Sequence, residues 1–196
     1  FRLVRALGGC MVSIDEADQT LGRGESGSGD SGLSGRLYAM IAQEMADTGN
    51  RGRVLWILAS SRPDLIEVDL KRPGRVDVKV PLLPTSTTAE SALLIGALAK
   101  RYGLELQADD LQKITARMPT LLTPGAAEAL VVKAYRRSRT ENLSDIAALE
   151  ACLEGYQNPV PADVLEFQMR IAIREATDLA FVPPAFQQYA ERPTAT

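Results

Sequence analysis

The sequence predicts an α/β fold over residues 1–84, an all-helical piece over 85–180, and an irregular tail at 181–196. Two observations carry this. Two short apolar runs flank a stretch with helical spacing, the order of a parallel strand–helix–strand unit. Beyond Pro84 only helical patterns remain, most of them opened by an identifiable start signal.

The first apolar run, GCMVSI at 9–14, reads as a short strand buried on both faces of a parallel sheet. It ends in Asp15-Glu16. A glycine-rich loop covers 22–32 and carries no Gly-Lys-Ser/Thr, so it is not a phosphate-cradling P-loop. Leu33, Leu37, Met40, Ile41 and Met45 follow at helical spacing. VLWILAS at 54–60 is the second buried strand, and RVDVKVPL at 75–82 alternates like a third, nearer a sheet edge.

In the helical piece, Thr87 and Glu90 form a capping box for a helix to about Tyr102. Asp109 and Asp110 open a second helix to about Arg117. Thr123-Pro124 starts a third to about Arg139, and Ser144 a fourth ending near Gly155. A last helix is expected at about 162–180.

Composition narrows the function. With 22 Lys+Arg against 25 Asp+Glu the formal charge is −3, which gives no support to a standing nucleic-acid footprint. There is no histidine, so Ser-His and Cys-His nucleophilic catalysis and His-based metal sites are excluded within these residues. Cys10 and Cys152 read as two buried thiols in a reducing cytosol rather than a disulfide. No apolar run approaches the roughly 20 residues that span a bilayer. The opening FRLVRALGG lacks an initiator Met and reads as starting partway through a helix, so the chain is expected to be a piece of a longer protein.

Asp15-Glu16 sits where the chemistry of an α/β sheet is done. Carboxylates at the carboxyl end of a parallel strand face the ligand crevice. One can help hold Mg²⁺ and the next can orient and deprotonate a water, the two roles phosphoryl transfer needs. An acidic surface turn after a core strand would show the same letters. DEAD at 15–18 also matches a motif of DEAD-box helicases. Those should show a second RecA-like domain before their arginine motif, and here Lys71-Arg72-Pro73-Gly74-Arg75 arrives too soon for one to intervene.

The segment VLWILASSRPDLIEVDLKRPGRVDVKV, 54–80, resembles that of AAA+ ATPases of the AAA subgroup. There a core strand is followed by a Thr-Asn-Arg-Pro-Asp-like run and then by Asp-x-x-Leu-x-Arg-Pro-Gly-Arg. This chain supplies Arg62-Pro63-Asp64 and then Asp69 to Arg75. The resemblance covers roughly residues 1–180. It implies the C-terminal part of a P-loop NTPase α/β domain followed by a small helical lid. It makes Asp15-Glu16 the Walker B pair, Ser61 the sensor of the γ-phosphate, and Arg72 and Arg75 arginine fingers acting on a neighbour's nucleotide. Gly125 and Ala126 match a lid-helix start that approaches the adenosine, and the loop at 22–32 matches a pore loop.

The resemblance further implies ATP and Mg²⁺ as cofactors, a homo-oligomeric ring (a hexamer in most of the family) and a protein substrate or adaptor. One position departs from the family pattern: Asn is usual where Ser61 stands, and a hydroxyl reaches less far than a carboxamide. A degenerate module with a structural role and a non-ATPase helical interaction module stay as alternatives. No Walker A lysine occurs in these residues, so the isolated chain is expected to show no ATPase activity.

Overall fold

The computed structural model describes residues 1–21 and 31–190. The chain divides into two compact units, Phe1–Pro81 with Glu166–Thr196, and Leu82–Leu165.

The first unit is α/β. A short helix α1 (Arg2–Ala6) leads to strand β1 (Cys10–Ile14), helix α2 (Ala17–Leu21), helix α3 (Ser31–Ala46) and strand β2 (Val54–Leu58). β1 and β2 pair in parallel, with Cys10 opposite Val54 and Ile14 opposite Leu58. This is the pairing expected of strand–helix–strand order. Ile14, Trp56 and Leu58 turn toward a cluster of Ala17, Leu21, Ile41, Ala42, Met45, Ile66 and Leu70. Of the apolar positions at helical spacing on α3, Ile41 and Met45 are buried, whereas Leu37 and Met40 are exposed.

Two expectations for this unit are corrected. The strands are not buried on both faces: Met11, Leu55 and Ile57 are exposed, and each strand alternates between half-buried and exposed positions. Among the described residues no element covers that face or extends the sheet beyond two strands. Nor is 75–82 a strand. Among the described residues it runs without a sheet neighbour: Arg75 N and Val76 N turn back to Arg72 O and Leu70 O (both 3.2 Å), and Lys79 donates its N–H to Thr177 Oγ1 (3.1 Å) and accepts at its carbonyl from Thr177 N (3.2 Å). A strand needs a ladder partner, and an alternating pattern cannot supply one.

The second unit is helical, with α4 (Thr88–Tyr102), α5 (Ala108–Ile114), α6 (Pro124–Thr140) and α7 (Asp145–Glu154). Three of its four starts follow the sequence signals, whereas α5, expected to open on Asp109-Asp110, starts at Ala108 behind Gln107, which makes no side-chain cap. Thr87 and Glu90 form the complete capping box, and Thr123 and Ser144 accept from Ala126 N and Ala147 N. α4 ends on Gly103 at φ 77°, a left-handed stop that glycine adopts without strain. The four helices enclose one core, with Ile95, Leu122, Ala127, Ala134 and Leu149 fully buried.

Helix α8 (Ala162–Glu175) ends sooner than the expected 180. Thr177 pairs with Lys79, and Asp178 caps the turn Leu179–Phe181. Pro184–Ala190, expected to be irregular, is a 3-10 helix with Phe186 buried.

Candidate functional site

The parallel register brings the two sequence-predicted catalytic segments side by side. Beyond the paired Ile14 and Leu58, the ladder continues through Ala59 N to Ile14 O and Ala17 N to Ala59 O, both 2.9 Å. Asp15-Glu16 and Ser60-Ser61 therefore leave neighbouring strand ends on the same edge of the sheet. Asp15, Glu16 and Ser61 are exposed there.

Glu16 has φ 49°. A side-chain-bearing residue in that region stores on the order of 1–3 kcal/mol of strain and persists only where its surroundings over-determine it. Here they do. Glu16 N donates to Asp15 Oδ1 (2.9 Å), Glu16 O accepts from Gln19 N (2.9 Å), and Ala17 N is tied to Ala59. The result is a sharp strand-to-helix turn with the Glu16 side chain on the outside.

Asp15 spends one carboxylate oxygen on that turn, and its second oxygen makes no hydrogen bond to another described residue. Mg²⁺ is usually held by one or two carboxylates together with phosphate oxygens and water, and one exposed Asp fits that as a contributing ligand. Among the described residues no group of three or more metal-binding side chains gathers, so Asp15 could share an ion but the chain does not enclose one.

Ser60 points the other way from an exposed sensor. Its hydroxyl donates to Asp18 Oδ1 and accepts from Arg62 N (3.0 Å). Arg62 in turn donates twice to Asp64 (2.9 and 2.8 Å) and lies over the Phe167 ring at 5.2 Å. That fork holds the Asp64 carboxyl below the usual carboxylate range and raises the Arg62 guanidinium. The sequence reads Asp18 as a turn or helix-start residue, and it does lie in the first turn of α2, but its tie to Ser60 goes beyond that reading. The signal available was its place two residues beyond Glu16, opposite the residues that follow a parallel partner strand.

Arg72 and Arg75 flank a Pro73-Gly74 turn in which Gly74 takes φ 88° and donates to Asp77 (2.6 Å). Both arginines share Asp69, but unequally. Arg72 is 71% exposed and 3.3 Å from Asp69 Oδ1. Arg75 is 23% exposed and donates to both the Asp69 carboxylate and its carbonyl. Arg75 also borders an open cavity of about 560 Å³ together with Arg5 and Asp47. Lys71 is anchored separately, 2.6 Å from Glu175.

Residues 1–82 match the family model "ATPase family associated with various cellular activities (AAA)". Residues 1–82 are an AAA-family segment. The AAA match spans β1, β2 and the arginine turn, and the α/β fold of the first unit is that of a P-loop NTPase. Relatives extend beyond it. A "Peroxisomal ATPase PEX6" of Dictyostelium discoideum is 26% identical over 144 residues, 74% of this chain and 12% of that protein. The PEX6 of Cricetulus griseus is 28% identical over 147 residues, again 74% of this chain and 15% of the relative. A "Ribosome biogenesis ATPase RIX7" of Saccharomyces cerevisiae is 30% identical over 115 residues, 58% of this chain and 13% of that protein. The chain thus spans under one-sixth of the length of these ATPases. The loop at 22–32, expected to face a ring channel, lies outside the described residues apart from its last two.

In the second unit, the start of α6 is held by a separate turn. Leu121, at φ 55°, donates to Thr85 O (2.9 Å), and its carbonyl accepts from Asn158 Nδ2 (3.3 Å). This fixes the Thr123 cap, so that Ala126 is buried and Gly125 exposed. A Cβ on Gly125 would meet nothing within 4 Å. Nothing in the packing calls for glycine there.

No described helix is long and apolar enough to cross a membrane.

Proposed function

We propose that this chain is the distal part of a longer AAA+ ATPase that hydrolyses Mg-ATP and couples turnover to remodelling of a protein partner. Its first unit is the second half of the nucleotide-binding domain, and the helical unit from Leu82 is the lid. The observation that carries the reading is the shared sheet edge. Glu16, held outward on a strained turn at the end of β1, lies one ladder step from the residues that bear Ser61 at the end of β2.

Bound Mg-ATP supplies the polarised phosphoryl group. Asp15 offers its second carboxylate oxygen to the ion. Glu16 orients and deprotonates the attacking water, a role its exposure permits. The Ser61 hydroxyl hydrogen-bonds the water or a phosphate oxygen. Gly125 leaves the α6 N-terminus open to close approach by an adenosine, and buried Ala126 supports it.

Arg72 is exposed and only weakly held, which suits a guanidinium that acts on the nucleotide of a neighbouring subunit. Arg75, anchored on Asp69, stiffens the turn and presents its remaining donors beside it. A site completed in trans calls for a ring, and the family precedent is a hexamer. The two free cysteines suit a reducing, cytoplasmic compartment. A second reading, a degenerate AAA module serving assembly, draws on Ser61 standing where the family usually has Asn.

The two readings separate on Glu16→Gln in the full-length protein. Removing a positioned general base costs about 10²–10⁴-fold in rate. The ATPase reading expects turnover to fall by that much while ATP binding and ring assembly persist. A substitution that leaves turnover unchanged favours the structural reading. The isolated chain is expected to show no ATPase activity, and appreciable turnover from it would overturn the assignment of the phosphate cradle to an upstream segment.

A further inference from the structure

Four consecutive residues leave β2, and three of them are tied down. Ala59 is held through both its N–H and its carbonyl to the turn after β1, at 2.9 Å each. Ser60 is held by its side chain to Asp18, and Arg62 by its backbone N–H to Ser60 Oγ at 3.0 Å. The third residue, Ser61, is the exposed one between these anchors. The tie from Ser60 crosses between segments 42 residues apart in sequence. It is also directional. A carboxylate only accepts, so Asp18 accepts the Ser60 O–H and leaves the hydroxyl's lone pair to receive Arg62 N–H.

Arg62 is braced in turn by Asp64 and by the Phe167 ring. Beyond the end of β1, Asp18 lies in the first turn of α2, two residues after the strained Glu16. Asp18 and Ala17 together therefore join the Glu16 turn to the Ser61 turn by one side-chain and one backbone hydrogen bond.

We propose that Asp18 is a positioning residue for the hydrolytic step: through Ser60 it fixes the Ser61 hydroxyl in separation and orientation relative to Glu16. This rests on the ATPase reading. Asp18 touches neither nucleotide nor water in this role. Its effect is geometric, and misplacing a catalytic group by about 1 Å can cost on the order of 100-fold in rate. A merely structural Asp18 would lower the melting temperature and leave the saturated rate of the folded enzyme alone.

The test is steady-state ATP turnover by the full-length protein, with thermal melting of each variant as a folding check. Asp18→Ala is expected to lower kcat about tenfold or more, with the KM for ATP within about threefold of wild type. Ser60→Ala should match it, and the double substitution should be no worse than either single, because both remove one link. Asp18→Asn keeps an acceptor oxygen and Ser60→Thr keeps a hydroxyl, so each should retain kcat within about threefold. If Asp18→Ala fails to fold, the Ser60 pair carries the test alone: loss in Ser60→Ala with recovery in Ser60→Thr supports the link, and equal rates in the two refute it. Wild-type kcat in Asp18→Ala, or a loss there that Ser60→Ala does not share, overturns the proposal. Should wild type turn over and Glu16→Gln stop it while Asp18→Ala does not, only the positioning role falls. A full-length wild type without turnover would remove the ATPase reading and this inference together.

Discussion

In the helical unit Ile95, Leu122, Ala127 and Leu149 have no exposed surface, and each long helix starts on a side-chain cap. In the α/β unit Met11, Leu55 and Val78 are each 60% exposed or more, and its described sheet has two strands. The helical unit satisfies itself, as its short connections and local caps allow. The α/β unit leaves one sheet face and both sheet edges without partners among the described residues, a state that isolated two-stranded sheets tolerate poorly. The residues proposed to act on nucleotide in this unit lie on the loops that leave this less complete scaffold.

The largest expected effect tests that contrast directly. Ile95→Ala empties a closed core and should cost about 2–5 kcal/mol in urea denaturation of this chain. Ile41→Ala, in the sparser cluster of the α/β unit, should fall at or below the lower end of that range. Native-state hydrogen exchange should agree, with slower exchange in α4 and α6 than in β1 and β2. Equal costs and equal protection would mean the two cores are closed alike.

The same contrast explains what was legible in the sequence. Caps act within four residues, so Thr87, Thr123 and Ser144 announced their helices from local chemistry alone. The apolar runs of β1 and β2 announced strands and their parallel order. They could not announce burial of both faces, because that depends on elements outside the run. The alternation at 75–82 failed for the same reason: Lys79 found Thr177, from beyond α8, rather than a strand. In the site, Asp15, Glu16 and the arginine turn were readable as motifs. The unequal hold of Asp69 on Arg72 and Arg75, and the tie from Asp18 to Ser60, were not. Both are side-chain geometry across turns, which spacing does not encode.

A middle-sized effect sharpens the claim that the helical unit is locally encoded. Thr87→Ala removes the cap of α4 and should cost about 1 kcal/mol at neutral pH. The reciprocal partner Glu90 is held below its ordinary value of 4.5 by the backbone N–H of Ser86 and then its hydroxyl. A carboxyl lowered in the folded state stabilises above its unfolded value and loses that contribution as pH falls through the folded one. The cost of Glu90→Gln should therefore shrink progressively below about pH 4.5, measured by denaturation across pH 7 to 3. A pH-independent difference would remove the carboxylate from the cap.

The smallest expected effects fall on the residues assigned to function, and their smallness is the point. Gly125→Ala meets open space and replaces a glycine within a helix, so it should be neutral or stabilise the chain by up to about 0.5 kcal/mol. Arg72, 71% exposed and loosely paired, should change stability by no more than about 0.5 kcal/mol when replaced by Ala. Arg75, with two acceptors on Asp69 and less exposure, should cost more. In the full-length protein, if it assembles as the proposed ring, the order for Arg72 reverses: Arg72→Ala should lower turnover steeply, because a guanidinium supplied in trans is worth about 10³-fold or more in phosphoryl transfer. Mixing an Arg72→Ala subunit with a Glu16→Gln subunit should then restore part of the activity, since some interfaces combine an intact Glu16 with a neighbour's intact Arg72. Without such complementation, Arg72 would be acting within its own subunit, and the exposed turn on Asp69 would be a surface feature rather than half of a shared site.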